Sequence, residues 1–329
     1  VRAVLLATGE EELVENSPID YEWGCGADGS GLVAVEHTMD ELRLLDVEDE
    51  SPILKRSKNP MSEWQEGDVL TNGIRIHYYR AQGKGAGSGK TVILCHGNSD
   101  QGRQYGPLAR ELRDDYDVIM VDARYHGYSE APRWEEDPDS MSHDLAGLID
   151  VLKLDRPVAG GHSMGAGYVF RTAALYPDRL RAIILEDPGW RDHFPQRSLA
   201  QRQAEMERYR TATIEELRAE WQAKHPHWTD EMLDLMVETK KLMSPESMRR
   251  QWVTADWRET LRQIRCPILL FTGDVALGAL VTEDAVQTAK EIAPTLVHVH
   301  TPGVGHLIRY DSLEPYTSAT KAFLARIFG

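Results

Sequence analysis

From residue 66 onward the chain alternates short β-branched apolar runs with longer stretches whose apolar positions recur at helical spacing. Parallel neighbours need a crossover, usually a helix, so this alternation predicts a mostly parallel sheet covered by helices. Strands are expected at Val69–Leu70, Ile74–Tyr79, Val92–Cys95, Val118–Val121, Val158–Gly161, Ala182–Leu185, Ile268–Thr272 and Leu296–His300. The first two flank Asn72-Gly73, a type I′ turn signal that pairs them as an antiparallel hairpin. Between Trp190 and Arg265 the pattern changes. No strand-like run occurs there, and Ser198–Arg210, Ile214–Lys224 and Asp230–Met243 are charged, amphipathic and helical in period. This predicts a helical cap at about residues 190–265, inserted into the α/β domain. The cap holds five of the chain's eight tryptophans. They either form the cap's own core or, with Trp190 among them, line an apolar pocket over a site.

Composition narrows the possible partners. A chain of 329 residues with a formal charge of −16 has room for one large core plus an appendage, and lacks the clustered Lys and Arg that nucleic acid or an anionic membrane requires. No apolar run reaches the roughly 18 residues of a membrane span, and Val1–Ala7 is followed at once by Glu10-Glu11-Glu12 rather than by a cleavage signal. Cys25, Cys95 and Cys266 are widely spaced, the last two inside apolar runs, which suits a reducing, cytoplasmic setting. A phosphate-binding reading of the Gly83–Gly89 loop fails, because Lys84 stands where a first glycine belongs and a strand, not a helix, follows.

The chemistry concentrates at Gly161-His162-Ser163-Met164-Gly165, a Gly-x-Ser-x-Gly motif between an apolar strand and the helical run Gly167–Tyr176. A serine on such a turn is exposed as a nucleophile, and the N–H of Met164 points at a developing oxyanion. His96-Gly97-Asn98 follows an earlier strand, where the Asn98 N–H would be the second donor. Of the chain's twelve histidines, His306 alone sits in a Gly-flanked loop after the final strand, the place of a general base. Two carboxylates compete to orient it. Asp187 ends the strand after the nucleophile helix; Asp274 follows the next strand, in Phe271-Thr272-Gly273-Asp274, with Ala276 at the position three past the glycine where an acid is usual. His298 and His300 alternate along the last strand, but no third and fourth ligand stands near, so no metal is expected.

With His96-Gly97-Asn98, Asp122-Ala123-Arg124-Tyr125-His126-Gly127-Tyr128-Ser129, Gly161–Gly165 and Gly305-His306 in that order, residues 66–329 resemble the α/β-hydrolase superfamily. The resemblance implies an α/β-hydrolase fold, a serine esterase mechanism through an acyl-enzyme, and no cofactor. Tyr125 stands where the family has glycine, a departure that bears on the local backbone and the pocket entrance, and it is expected to be a substrate-pocket residue. Some lactonases of the fold carry their acid at the position of Asp187. Residues 1–47, with Leu6-Ala7-Thr8-Gly9, Val14-Glu15-Asn16-Ser17-Pro18 and Trp23-Gly24-Cys25-Gly26, resemble the C-terminal tail of a NADAR domain, and residues 48–65 are expected to be a linker. The expected partner is a small, largely apolar ester or lactone. A carbon–carbon bond hydrolase with the same triad and a slow-turnover receptor on the same fold are the alternatives, and the oligomeric state is left open.

Overall fold

The computed structural model describes residues 63–132, 137–191, 198–249 and 255–329, together with two short strands near the N-terminus. The chain forms two compact units, Val1–Met61 and Ser62–Gly329. In the first, Leu13–Val14 pairs antiparallel with Ala34–Val35. The rest of the NADAR-like segment, Cys25 and most of the expected linker lie outside the described residues.

The second unit is built on eight strands: β1 (Trp64–Thr71), β2 (Ile74–Ala81), β3 (Thr91–Cys95), β4 (Asp117–Val121), β5 (Val158–His162), β6 (Ala182–Glu186), β7 (Ile268–Thr272) and β8 (Val297–His300). Their order across the sheet is β8-β7-β6-β5-β3-β4-β2-β1, parallel from β8 to β4 and antiparallel at β2 and β1. At the hairpin, Asn72 and Gly73 take φ of 50° and 78°, the left-handed pair a type I′ turn requires. β1 begins at Trp64, inside the segment expected as linker. Trp64 pairs with Ala81, and the Arg110 guanidinium lies 5.5 Å from its ring, so this stretch has partners a linker would lack.

All five residues of each of β3 to β7 are buried. A parallel sheet covered on both faces demands such continuous apolar runs. Alternate residues feed two cores. Ile93, Ile119, Ile183 and Leu270 face helices α2 (Ser140–Val151), α3 (Met164–Leu175), α7 (Trp257–Gln263) and α8 (Glu283–Ile292). Leu94, Met120, Ile184 and Phe271 face α1 (Gly106–Leu112) and α10 (Leu313–Phe328). A short helix, α9 (Ile308–Asp311), precedes α10.

Between β6 and α7 the described residues form α4 (Leu199–Thr211), α5 (Ile214–Lys224), α6 (Asp230–Leu242) and a 3₁₀ turn, with no strand. Ser198 and Thr213 each start a helix with a reciprocal capping box, closed by Gln201 and Glu216. Met206, Tyr209, Leu217 and Val237 make a small core of their own. Two of the tryptophans expected in the cap belong elsewhere. Trp190 and Trp257 stack at 4.9 Å, with Phe170 of α3 at 5.2 Å from Trp190, inside the main core. Trp190, expected at the pocket, is buried in the main core, where Trp257 stacks on one face of its ring and Phe170 meets it at a tilt of 57°. Trp252 lies outside the described residues.

Candidate active site

Strand ends bring the chemistry together. Cys95 is opposite Gly161, and Gly161 opposite Leu185, so the segments after β3, β5 and β6 leave the sheet side by side. Ser163 sits on the turn between β5 and α3 with φ 50° and ψ −110°, a strained conformation for a residue with a side chain. Its N–H donates to the Glu186 carbonyl at 2.9 Å and its own carbonyl accepts from Gly167, which holds the strain in place. The flanking glycines are sterically required. A Cβ on Gly165 would lie 2.0 Å from the Cys95 carbonyl oxygen, and one on Gly161 would lie 2.3 Å from the Gly165 carbonyl carbon.

His306 lies in the loop after β8, half-buried. Its Nδ1 donates to Asp187 Oδ2 at 2.6 Å. Asp187 is fully buried and also accepts from the backbone N–H groups of Leu280 and Val281, at 2.7 and 3.0 Å. The Asp187 backbone has φ 43°, a second strained residue at the site. Asp274 has other partners: its Oδ1 is 3.0 Å from His300 Nε2 and its Oδ2 accepts from the Gly303 N–H at 2.7 Å. His298 and His300 both reach the Thr272 hydroxyl, at 2.8 and 3.2 Å. Thus the structure brings Asp187 to His306 and gives Asp274 to the loop upstream of it. That loop is threaded tightly, since a Cβ on Gly273 would lie 2.4 Å from the Gly305 carbonyl oxygen.

Asn98 is exposed, in the loop after β3, and Met164 is buried at the first turn of α3. The His96 ring fixes that loop, with Nδ1 2.7 Å from the Gly97 carbonyl and Nε2 accepting from the Ala123 N–H at 2.9 Å. Tyr125 takes φ 70°, so the chain keeps the left-handed backbone that glycine would favour. Tyr125 is buried, and its carbonyl accepts from the Ser244 N–H at 2.9 Å, joining this turn to the end of the cap.

Several residues at the site gave no signal in the sequence. Glu186, next to Asp187, accepts from the Arg309 N–H and from its guanidinium, each at 2.9 Å, so consecutive acids hold the chain around His306 at two points. From the cap, Lys240 Nζ donates to the Ser99 carbonyl at 2.7 Å, one residue after Asn98. Burial lowers the Lys240 ammonium to about 8, against the opposing charges of Asp100 and Glu205. Neighbouring Thr239 accepts from Gln104 at 3.2 Å and Glu238 pairs with Arg103, so three consecutive cap residues are fastened to the segment after β3. A motif scan misses these residues because each is defined by a partner distant in sequence.

The profile of the α/β hydrolase fold family matches residues 90–310. The chain belongs to that family. Among α/β hydrolases it is similar to the N-formylmaleamate deformylase of Pseudomonas putida, with 27% identity over 262 residues that cover 78% of this chain and 96% of that one. It is 25% identical to a 2-(acetamidomethylene)succinate hydrolase of Mesorhizobium japonicum over 251 residues, 72% of this chain and 89% of the relative. A crystal structure of the N-formylmaleamic acid deformylase from Pseudomonas putida superposes with a TM-score of 0.66 at 26% identity, covering 78% of this chain and all of that one. The chain is thus a hydrolase of this fold. Among the described residues, no helix is long and apolar enough to cross a membrane.

Proposed function

We propose that the protein hydrolyses a small carboxylic ester or lactone through an acyl-enzyme on Ser163. His306 takes the Ser163 hydroxyl proton on Nε2 as Oγ attacks the carbonyl, and Asp187 steadies the imidazolium through Nδ1. The Asn98 and Met164 N–H groups stabilise the oxyanion, each donor being worth about 3–4 kcal/mol in such sites. His306 then gives its proton to the leaving oxygen. Water, deprotonated by the same nitrogen, attacks the acyl carbon and frees Ser163. Neither a metal nor an organic cofactor takes part in these steps.

The observation that carries this assignment is the 2.6 Å contact between His306 Nδ1 and buried Asp187, which leaves Nε2 for the serine. Asp274 then acts as a structural carboxylate. A small ester or lactone is the partner, in a cytoplasmic protein, with the cap covering the site.

A second substrate class is favoured by the relatives, whose names describe a deformylase and a 2-(acetamidomethylene)succinate hydrolase: acyl groups carried on nitrogen, attacked by the same serine. Carbon–carbon cleavage would use the same groups too. The test is pre-steady-state and steady-state release of p-nitrophenol from short-chain esters, beside release of formate and acetate from N-formyl and N-acetyl compounds. Turnover by the intact protein and a loss of about 10⁶-fold in Ser163→Ala is expected. Equal turnover by Ser163→Ala would sink the assignment, and activity confined to the N-acyl series would move it to amides.

A further inference from the structure

A second histidine is built into the site, and the acyl-transfer scheme does not use it. His162 immediately precedes Ser163 and is buried. Its Nε2 lies 3.0 Å from the backbone carbonyl of His306, and the two imidazole rings are 4.6 Å apart between centroids, with their planes at 44°. A carbonyl only accepts, so Nε2 carries the hydrogen. Nδ1 is buried without a hydrogen-bond partner among the described residues, and Asp100 Oδ2 faces it at 3.7 Å.

Asp100 joins the loops of the site. It lies two residues after Asn98, accepts from the Tyr310 hydroxyl at 3.3 Å, and has the Arg309 guanidinium at 3.8 Å. Burial alone would raise its carboxyl, but His162 and the charges of Lys240 and Arg309 outweigh burial and hold it well below the usual carboxylate range. The approach of His162 to this loop depends on Gly97, where a Cβ would stand 2.6 Å from the His162 Nδ1.

We infer that Asp100 and His162 form a second aspartate–histidine pair that positions the general base. His162 fixes the His306 carbonyl, and with it the loop that aims the imidazole; the Asp100 carboxylate, 3.7 Å from the other ring nitrogen, holds His162 by charge when that nitrogen also carries a proton, and links it to the Asn98 turn. Neither group touches the substrate. The inference rests on the acyl-transfer reading above, because a misaimed base matters only if His306 is the base. Displacing a catalytic group by about 1 Å can cost on the order of 10²-fold in rate.

The experiment compares His162→Phe, which keeps a ring but loses the Nε2 donor, with His162→Gln, whose amide can still reach the His306 carbonyl. Asp100→Asn is measured beside them, with p-nitrophenyl acetate as substrate. His162→Phe is expected to lower kcat by about 10²-fold with KM within about threefold, and His162→Gln to recover most of that loss, because only an orientation has been disturbed. Asp100→Asn should lower kcat by about tenfold, again with KM held, and it provides the same readout if His162→Phe does not fold. Unchanged kcat in a folded His162→Phe or in Asp100→Asn would overturn the inference. So would a His162→Gln protein as slow as His162→Phe, which would make His162 a space-filling ring. Ser163→Ala separates the two layers: full activity there defeats the acyl-transfer reading, whereas loss there with an unaffected His162→Phe defeats only the positioning pair.

Discussion

Asp187 and Asp274 stand just past the ends of neighbouring strands, and each holds one histidine of the same final stretch of chain. Asp187 is fully buried and 2.6 Å from its histidine, whereas Asp274 is 34% exposed at its side chain and 3.0 Å from its own. What separates them is environment. Around Asp187, backbone N–H groups of Leu280 and Val281 saturate the carboxylate and leave one direction for His306. Around Asp274, water competes for the pair with His300, and exposed ion pairs of this kind contribute about 0–1 kcal/mol. A buried, saturated acid can fix a tautomer and meet a developing charge with little screening; an exposed one tethers a loop.

The largest effect should come from Asp187→Asn. With Leu280 and Val281 donating to it, the new amide must turn its oxygen to them and its NH₂ towards His306. That makes Nδ1 an acceptor and puts the hydrogen on Nε2, the wrong tautomer for taking a serine proton. A loss of about 10⁴-fold in kcat, with the fold kept by circular dichroism, is expected. A loss below about tenfold would break the contrast between the two acids.

Lys240 extends the contrast to a buried cation. Burial lowers its ammonium from 10.5 to about 8, so below pH 8 both folded and unfolded chains hold the proton and the cost of burying the charge is present in full. Between about 8 and 10.5 the unfolded chain retains the proton that the folded one has released, so this site's contribution to stability rises with pH, by at most about 1.4 kcal/mol per unit. Denaturant titrations from pH 7 to 10 should show the wild type gaining on Lys240→Met across that window. A stability difference that is flat or falling with pH would contradict the assignment.

The smallest effect belongs to Asp274→Asn, which loses the pairing with His300 but can keep an oxygen for the Gly303 N–H. Less than tenfold in kcat and about 0.5–1 kcal/mol in stability are expected. A loss matching that of Asp187→Asn would make Asp274 the acid that serves His306.

Much of this was legible in the chain. Strand runs such as Ile268–Thr272 announce the buried parallel sheet, Asn72-Gly73 its hairpin, and Gly161–Gly165 the strained serine turn, because each depends on residues adjacent in sequence. The choice between Asp187 and Asp274 was not, since both follow strands; it depends on where residues 280 and 281 direct their N–H groups. The start of β1 was blurred for a similar reason, as Trp64 gains its place from Ala81 and Arg110. For Trp190 the sequence left core and pocket both open, and it packs in the main core because Trp257, distant in sequence, stacks on it.

The most direct test of the central claim is to quench the protein during the first turnover of an ester and locate the acyl group by peptide mass spectrometry. The account predicts a single adduct on Ser163, trapped in larger amount in Asp187→Asn if deacylation slows more than acylation, and absent from Ser163→Ala. Turnover with no adduct on Ser163, or an adduct on another residue that forms and decays at the turnover rate, would contradict it.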